Sequence, residues 1–386
     1  MADTTPRVPL TRIAREWTRI GLTGFGGPPA HIELLRRLVV ERERWLSPRE
    51  FEDGVAACNL LPGPASTQLA IYCARRVGGP WGAVVGGLGF ITPAVVLMLA
   101  LSALFLAHHP PAWVRGAGAG AGAAVAAVAV RAGLSLAGPS WRRAVADRGR
   151  RVRWIAYAAL GGAAAALVGP WLVLVLLGCG MVEVGLRTGA RRGPGVVAPF
   201  LPAASASAGG IGALAWVAVK VGALSFGGGF VIVPLMQRNA VHTYHWMTAT
   251  GFLSAVALGQ VTPGPVVATV AAVGYAAHGL GGGVLAAVIA FTPSFLFVLL
   301  GGPQFDRLRS NSRAQAFLAG AGPAAIGAIL GSAIPLASAL IETWQFIVLG
   351  VAAVALLVAR RGIVSTLLTA GVAGAIIGVA GGPLPH

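Results

Sequence analysis

Ser225-Phe226-Gly227-Gly228-Gly229, followed by Thr262-Pro263-Gly264-Pro265, is the passage that decides how this chain folds. It has an earlier twin in Phe25-Gly26-Gly27-Pro28 and Leu61-Pro62-Gly63-Pro64. Phe226 follows Phe25 by 201 positions, and the same 201 separates Pro263 from Pro62, Trp246 from Trp45 and Phe252 from Phe51. Further on, Thr292-Pro293 follows Thr92-Pro93 by 200, as Gly320 and Gly322 follow Gly120 and Gly122, so one residue was lost between the two blocks. A shared offset over so many positions marks an internal duplication. Each copy carries two breaks inside apolar sequence, where proline removes an amide donor and glycine frees the backbone. Interrupted apolar segments at corresponding places of two halves point to a transporter site built from discontinuous helices.

Composition sets the surroundings. Of 386 residues, 56% are hydrophobic and 11% charged, with a mean hydropathy of +0.77. A soluble chain needs a more polar surface, and several apolar runs reach about 18 residues, enough to cross a bilayer core. The expectation is an all-α polytopic membrane protein with the lipid bilayer as its solvent. The opening residues, with Asp3, Arg7, Arg12, Arg15 and Arg19, are too charged for a secretory signal peptide. The net charge of +17 fits cytoplasmic loops of such a protein and does not imply nucleic acid. Almost all of it is arginine, and Lys220 is the only lysine. Cys58, Cys73 and Cys179 lack metal or redox spacing. With no phosphate loop, HExxH or GxSxG pattern, the expectation is no enzyme, no catalytic residue, no metal and no cofactor.

The chain divides into a first repeat (1–192), a linker rich in Pro, Ala, Ser and Gly (193–210) and a second repeat (211–386). In the first repeat, an amphipathic stretch over 7–20 runs into the Phe25 break, and a second one, 30–45, follows it. Both flanks are basic, which favours a re-entrant loop there. Ser47-Pro48-Arg49-Glu50 reads as a helix cap; that helix runs to the Pro62 break, resumes at Ala65, and ends at Arg75-Arg76. Full spans are expected near 80–107 and 116–138, with shorter apolar segments over 154–168 and 171–186. The second repeat follows the same plan, over 212–237, 248–276, 283–302, 315–339, 344–359 and 363–380. Its charges do not follow. Arg75-Arg76 correspond to Ala276-Ala277, and the basic loop Arg307–Arg313 corresponds to one with only Arg115. The basic loop 142–153 corresponds to uncharged 340–344, and uncharged Gly169-Pro170 to Arg360-Arg361. By the positive-inside rule the two homologous halves form an inverted-topology repeat with broken, re-entrant helices at the Gly/Pro motifs. Two re-entrant elements and four crossings per half make an even number, so inversion needs one odd crossing in the linker or a broken segment.

A helix start exposes unpaired amides and the positive end of the helix dipole, which suits an anion. Four starts are expected after the breaks, near Pro29, Ala65, Phe230 and Val266. The candidate substrate-binding residues are therefore Gly26, Gly27, Pro62, Gly63, Pro64, Ser66, Thr67 and Gln68 in the first half. In the second they are Ser225, Gly227, Gly228, Gly229, Gln260, Thr262, Pro263, Gly264 and Pro265. Hydroxyls and amides donate to oxyanion oxygens without adding charge. Lys220 interrupts the apolar run Ile211–Ser225, and a cation in a membrane segment marks a functional site by default; snorkelling to the interface is the bland reading. Its twin Arg19, with Thr23, Asn59 and Thr269, completes the secondary candidates. The glycine tracts 116–122 and 281–283 read as close helix packing.

These motifs resemble the signatures of the chromate ion transporter (CHR) family in its long two-domain form. The residues that carry the likeness are Gly24-Phe25-Gly26-Gly27-Pro28, Leu61-Pro62-Gly63-Pro64 with Gln68, Ser225-Phe226-Gly227-Gly228-Gly229 and Thr262-Pro263-Gly264-Pro265, and it covers essentially the whole chain. Gly229 stands where the first copy has Pro28. The resemblance implies a bacterial or archaeal inner-membrane carrier that exports chromate and confers chromate resistance, with sulfate as the structural analogue. Energetics agree with export, since a dianion leaving an inside-negative cell gains about 4.6 kcal/mol per 100 mV. A sulfate or other oxyanion permease is the alternative, a membrane-embedded enzyme a remote one, and a homodimer is left open. If the halves are inverted, cysteines placed at Arg76 and Ala277 will label from opposite faces of the membrane; labelling of both from one face rejects the inversion.

Overall fold

The computed structural model describes residues 8–59, 61, 63–107, 110–145, 147–168, 172–188, 209–225, 229–301 and 311–385, and their regular structure is helical throughout. Most of the linker 193–210 lies outside these residues, as do Pro62, Gly227 and Gly228.

The first half opens with α1 (Leu10–Thr23), α2 (Pro28–Arg36, extended by a π-helical turn over Arg37–Arg42), α3 (Pro48–Cys58) and α4 (Ala65–Phe105). Ser47 caps α3 as its sequence predicts: its hydroxyl accepts from the Glu50 amide while the Glu50 carboxylate accepts from the Ser47 amide. That Ser47 amide, with the Ser47 hydroxyl and Arg76, holds the Glu50 carboxyl below the usual carboxylate range.

Side-chain pairs fix how these helices run. Arg12 meets Glu43 at 2.5 Å and Arg42 meets Glu16 at 2.5 Å, so α2 and its π turn fold back along α1. Glu50 meets Arg76 at 2.6 Å, and Gly54 lies against the Tyr72 ring, so the start of α4 folds back along α3. The breaks at Phe25 and Gly63 are thus tips of two helical hairpins. α4 then turns again at Gly79, whose φ is +70°. Gly82 packs on the Ala74 carbonyl and Gly86 on the Ala74 side chain, whereas eight residues of straight helix span about 12 Å. The helix therefore continues past Arg75-Arg76 and reverses at Gly79 into a second arm, 80–105.

The second half repeats this through α9 (Ile211–Leu224), a 3-10 turn (Phe230–Ile232), α10 (Val233–Gln237) with a π turn (Arg238–Thr243), α11 (Ala249–Val261), a 3-10 turn (Val266–Ala268) and α12 (Thr269–Gly301). The duplication reaches the backbone. Arg44 and His245 share φ +52°, Gly63 and Gly264 have φ +113° and +95°, and Gly79 and Gly279 have +70° and +61°. Twin arms cross in opposite directions, because Gly87 packs on Phe295 while Leu99 packs on Gly283.

The remaining helices are α5 (Ala112–Ala123), α6 (Val125–Ala144), α7 (Arg148–Ala163), α8 (Leu172–Thr188), α13 (Ser312–Gly331), α14 (Ala333–Ser338), α15 (Thr343–Ala353) and α16 (Ile363–Val379). They interlock the halves. Gly116 and Gly120 of α5 press on backbone carbonyls of α16, and Gly320 and Gly327 of α13 press on those of α8 and α7. Lipid gives helices no hydrophobic reason to associate, so backbones this close, which small residues permit, supply the contact. Glu183 (2% exposed) is clamped by Arg153 at 2.9 Å, Arg187 at 2.6 Å and the Tyr157 hydroxyl. Arg131 donates to the Leu356 carbonyl at 2.6 Å. Glu183, in the apolar run of α8, and Arg131, in that of α6, are thus each engaged by neighbouring protein. Among the described residues, four segments are long and apolar enough to cross a membrane: Ala65–Phe105, Ala112–Arg142, Val266–Gly301 and Ser312–Ser338.

Two glycines of α13 give a test. A Cβ on Gly327 would run into the Ala158 carbonyl, while one on Gly322 meets nothing within 4 Å. Gly327→Ala will cost about 1–3 kcal/mol from overpacking and lower the melting temperature in detergent by several degrees. Gly322→Ala will leave it unchanged or raise it.

Candidate functional site

The tips of the hairpins meet between the halves. The amide of Gly264 donates to the carbonyl of Gly24 at 3.0 Å. A Cβ on Gly63 would meet Gln68 Nε2 at 2.7 Å, the Gly222 carbonyl at 3.2 Å and Ser294 Oγ at 3.6 Å. The positive φ at Gly63 suits glycine, and with those neighbours the position has no room for a side chain.

At the Gly63 tip, α4 starts without a side-chain cap, and its first intrahelical donor is the Gln68 amide, which bonds to Pro64 O at 3.0 Å. The preceding first-turn amides of Ala65, Ser66 and Thr67 are left for another acceptor. The start is buried, as Ser66, Thr67 and Gln68 are all 3% exposed or less. Three hydroxyls of fully buried residues, Thr67 Oγ1, Ser225 Oγ and Ser294 Oγ, have no hydrogen-bond partner among the described residues, nor does Gln260 Nε2. A buried polar atom left unpaired costs about 1–3 kcal/mol. Several of them in the region of an uncapped helix start fit a polar guest that accepts hydrogen bonds.

The twin tip at Gly264 has the same backbone and different chemistry. It faces Gly21, Phe90 and Ala94, where the Gly63 tip faces Gly222 and Ser294. Val267 and Ala268 replace Ser66 and Thr67, and Gly24 replaces Ser225. Thr269, the twin of Gln68, spends its hydroxyl on the Val266 carbonyl at 2.7 Å and fills the space beside Gly259. The unpaired hydroxyls are therefore concentrated at the Gly63 pole, while the unpaired amide of Gln260 lies on α11, which leads to the Gly264 tip.

His31 joins the poles. Its Nε2 is 2.9 Å from the Gly24 carbonyl, its Nδ1 is 3.3 Å from Ser66 Oγ, and its ring stands edge-on to Phe90. Beside it, α1 and α2 enclose a cleft of about 620 Å³ lined by Glu16, Arg19, Thr23, Arg37, Glu41 and Arg42 among others. Arg42 is paired with Glu16 and Arg37 with Glu33, whereas Arg19 makes no ion pair among the described residues. An arginine without an ion pair at such a cleft attracts anions.

The other sequence candidates fall in varied places. Pro64, Gly229, Gln260, Thr262, Pro263, Gly264 and Pro265 are buried, while Gly26 is exposed and Gly27 half-buried at the α1–α2 tip. Nothing lies within 4 Å of a Cβ built on Gly27. Thr23 is exposed and donates to the Arg19 carbonyl, and Asn59 is exposed at the end of α3. Lys220 is half-buried, its Nζ 5.4 Å from the centre of the Trp216 ring. Pro62, Gly227 and Gly228 lie outside the described residues. Sequence reasoning passed over His31 and Ser294. Ser294 follows the repeated Thr292-Pro293 pair, a signal that was available; His31 has Ile232 as its twin, so the repeat gave none.

Comparison with known proteins names the class. The Chromate transporter family matches residues 11–184 and 212–379, and the chain belongs to that family of multi-pass membrane transporters. It is 32% identical over 398 residues to a chromate transport protein of Cupriavidus metallidurans, covering 99% of this chain and 96% of that one. It is 31% identical over 390 residues to a chromate transport protein of Pseudomonas aeruginosa, covering 96% and 93%. A probable chromate transport protein of Synechococcus elongatus is 26% identical over 346 residues, covering 86% and 85%. No solved structure matches the chain.

Thr67→Val separates binding from stability. Removing an unpaired buried hydroxyl without changing shape will hold or raise the melting temperature. The same change removes a donor to a charged guest, worth about 1.5–3 kcal/mol, and will weaken oxyanion affinity roughly tenfold or more. Equal affinity in the variant would take Thr67 out of the site.

Proposed function

We propose that the protein exports chromate from the cell and thereby confers chromate resistance, holding the dianion at the start of α4. The observation that carries this reading is the buried, uncapped α4 N-terminus near the unpaired hydroxyls of Thr67, Ser225 and Ser294. Its free amides and dipole attract a dianion, and the hydroxyls donate to its remaining oxygens. A tetrahedral oxyanion offers acceptors in several directions at once, which suits donors contributed by both halves. The homologous chromate transport proteins of C. metallidurans and P. aeruginosa support chromate as the substrate.

The carrier works by alternating access of two halves in inverted topology, with the two leading hairpins of each half re-entrant. The opposite course of the twin arms supports the inversion, as do the four loop pairs whose charges reverse. Re-entrant backbone is tolerated where protein covers it, and the Gly63 and Gly264 tips are both buried. The cleft with Arg19, Arg37 and Arg42 is the cytoplasmic mouth through which the anion reaches the site. Lys220, Arg19's twin, marks the corresponding path in the other half.

Export follows from charge. At roughly 150 mV, inside negative, a dianion gains about 7 kcal/mol on leaving, equivalent to a gradient of about 10⁵. Hydroxyls and amides distinguish chromate from sulfate poorly, because both present the same tetrahedron of acceptors, so sulfate export is the second reading. Radiolabelled chromate will accumulate in inside-out vesicles, faster when the lumen is made positive, and sulfate will compete with an affinity no higher than chromate's own. Accumulation independent of the imposed potential rejects electrogenic export, and stronger competition by sulfate makes it the substrate.

A further inference from the structure

His31 takes no part in the transport scheme so far, yet it is the one fully buried histidine among the described residues. Its partners fix its tautomer. The Gly24 carbonyl can only accept, so Nε2, at 2.9 Å, carries a hydrogen. In the neutral ring Nδ1 is then a lone pair, and the Ser66 hydroxyl at 3.3 Å donates to it. Ser66 has one hydroxyl proton, and His31 holds it. The neutral imidazole therefore withholds a donor from the first turn of α4, where the oxyanion is placed.

We propose that His31 is the proton-binding residue that sets the oxyanion affinity of this site, acting through Ser66. A proton on Nδ1 reverses the hydrogen bond: Nδ1–H donates to Ser66 Oγ, and the hydroxyl hydrogen is released to turn toward the anion. The ring gains a full positive charge at the same moment, in a buried setting where screening is weak. Proton and dianion then favour each other's binding reciprocally. No covalent step is involved. The proton arrives through the cleft, whose wall includes Thr23, next to Gly24, and Leu34, one turn beyond His31. The arrangement belongs to one pole, since Ile232 and Val267 stand at the twin positions.

Other titratable groups on the surrounding elements are Arg12, Arg15, Glu16 and Arg19 on α1, Glu33 and Arg36 on α2, Arg49, Glu50, Glu52, Asp53 and Cys58 on α3, and Tyr72, Cys73, Arg75 and Arg76 on α4. On α12, beyond the Gly264 tip, they are Tyr275 and His278. No hydrogen bond or ion pair links any of these to His31 among the described residues. His31 is a positioning residue here: it governs the direction of the Ser66 hydroxyl.

The inference rests on the oxyanion site proposed above, and one experiment separates the two. Chromate affinity is measured for the full chain in lipid nanodiscs at pH 6 and pH 8, for wild type, His31→Gln and Ser66→Ala. Glutamine keeps a donor and an acceptor but does not titrate near neutrality. Chromate's own protonation acts on every variant alike, so the readout is the ratio of affinities between the two pH values. The wild-type ratio is expected to exceed that of His31→Gln by about fivefold or more, and Ser66→Ala will lose most of it too. A His31→Gln ratio equal to wild type overturns the proton linkage while leaving the site intact. A Ser66→Ala ratio equal to wild type overturns the relay, and serves alone if His31→Gln does not fold. Absence of chromate binding by wild type at both pH values overturns the site and the linkage together.

Discussion

The carbonyl oxygen of Gly24 accepts two hydrogen bonds, from the Gly264 amide of the other half at 3.0 Å and from His31 at 2.9 Å. Much of the centre depends on that junction. A carbonyl is free to accept there because the helix α1 has ended, and the helix ends because the Gly/Pro break removes its next donors. The partner amide is free for the same reason at the other break. A continuous helix would have satisfied both groups internally and left the halves nothing to share but side-chain packing. The breaks free backbone groups that a continuous helix would have consumed, and the Gly63 and Gly264 tips are both buried in protein.

Around that junction the pseudo-symmetry is kept in the backbone and lost in the side chains. The φ values of Gly63 and Gly264 match, as do the neighbours that press on them, yet Ser66, Thr67, Ser225 and Ser294 stand opposite Val267, Ala268, Gly24 and Ala94. One pole keeps the unpaired hydroxyls, and the other has valine, alanine and a threonine bonded to its own chain in their place. In the alternating-access cycle proposed above, both copies supply the rocking geometry, but one dianion needs one cage. The glycine contacts of α5 on α16 and α13 on α8 and α7 serve the first requirement. They tie each half to the other's terminal helices.

Much of the architecture was legible in the chain. Composition gave the membrane, and the 201-residue offset gave the duplication, because a repeat in sequence is a repeat in fold. The Ser47 cap was readable from residues adjacent in the chain, since its chemistry is local. The reversal at Gly79 was not. Gly78-Gly79 after Arg75-Arg76 reads as the end of one helix and the start of another, and only the contact of Gly82 with Ala74 shows that the arms are antiparallel. Among site residues, hydroxyls beside the breaks were easy to name, while Ser294 lies 231 positions from Gly63 and reaches it only across the interface between halves.

The sequence by itself determined that this is a duplicated, helical membrane carrier with interrupted helices, and that its family is that of the chromate transporters. Those properties are written in periodicity, hydropathy and motif, each a sum over many neighbouring residues. The tertiary structure alone decided that the breaks are hairpin tips, that unpaired hydroxyls gather at the Gly63 pole and that His31 holds the Ser66 hydroxyl. Such facts rest on single contacts between distant residues, and whether a polar atom finds a partner depends on the backbone that happens to be opposite it.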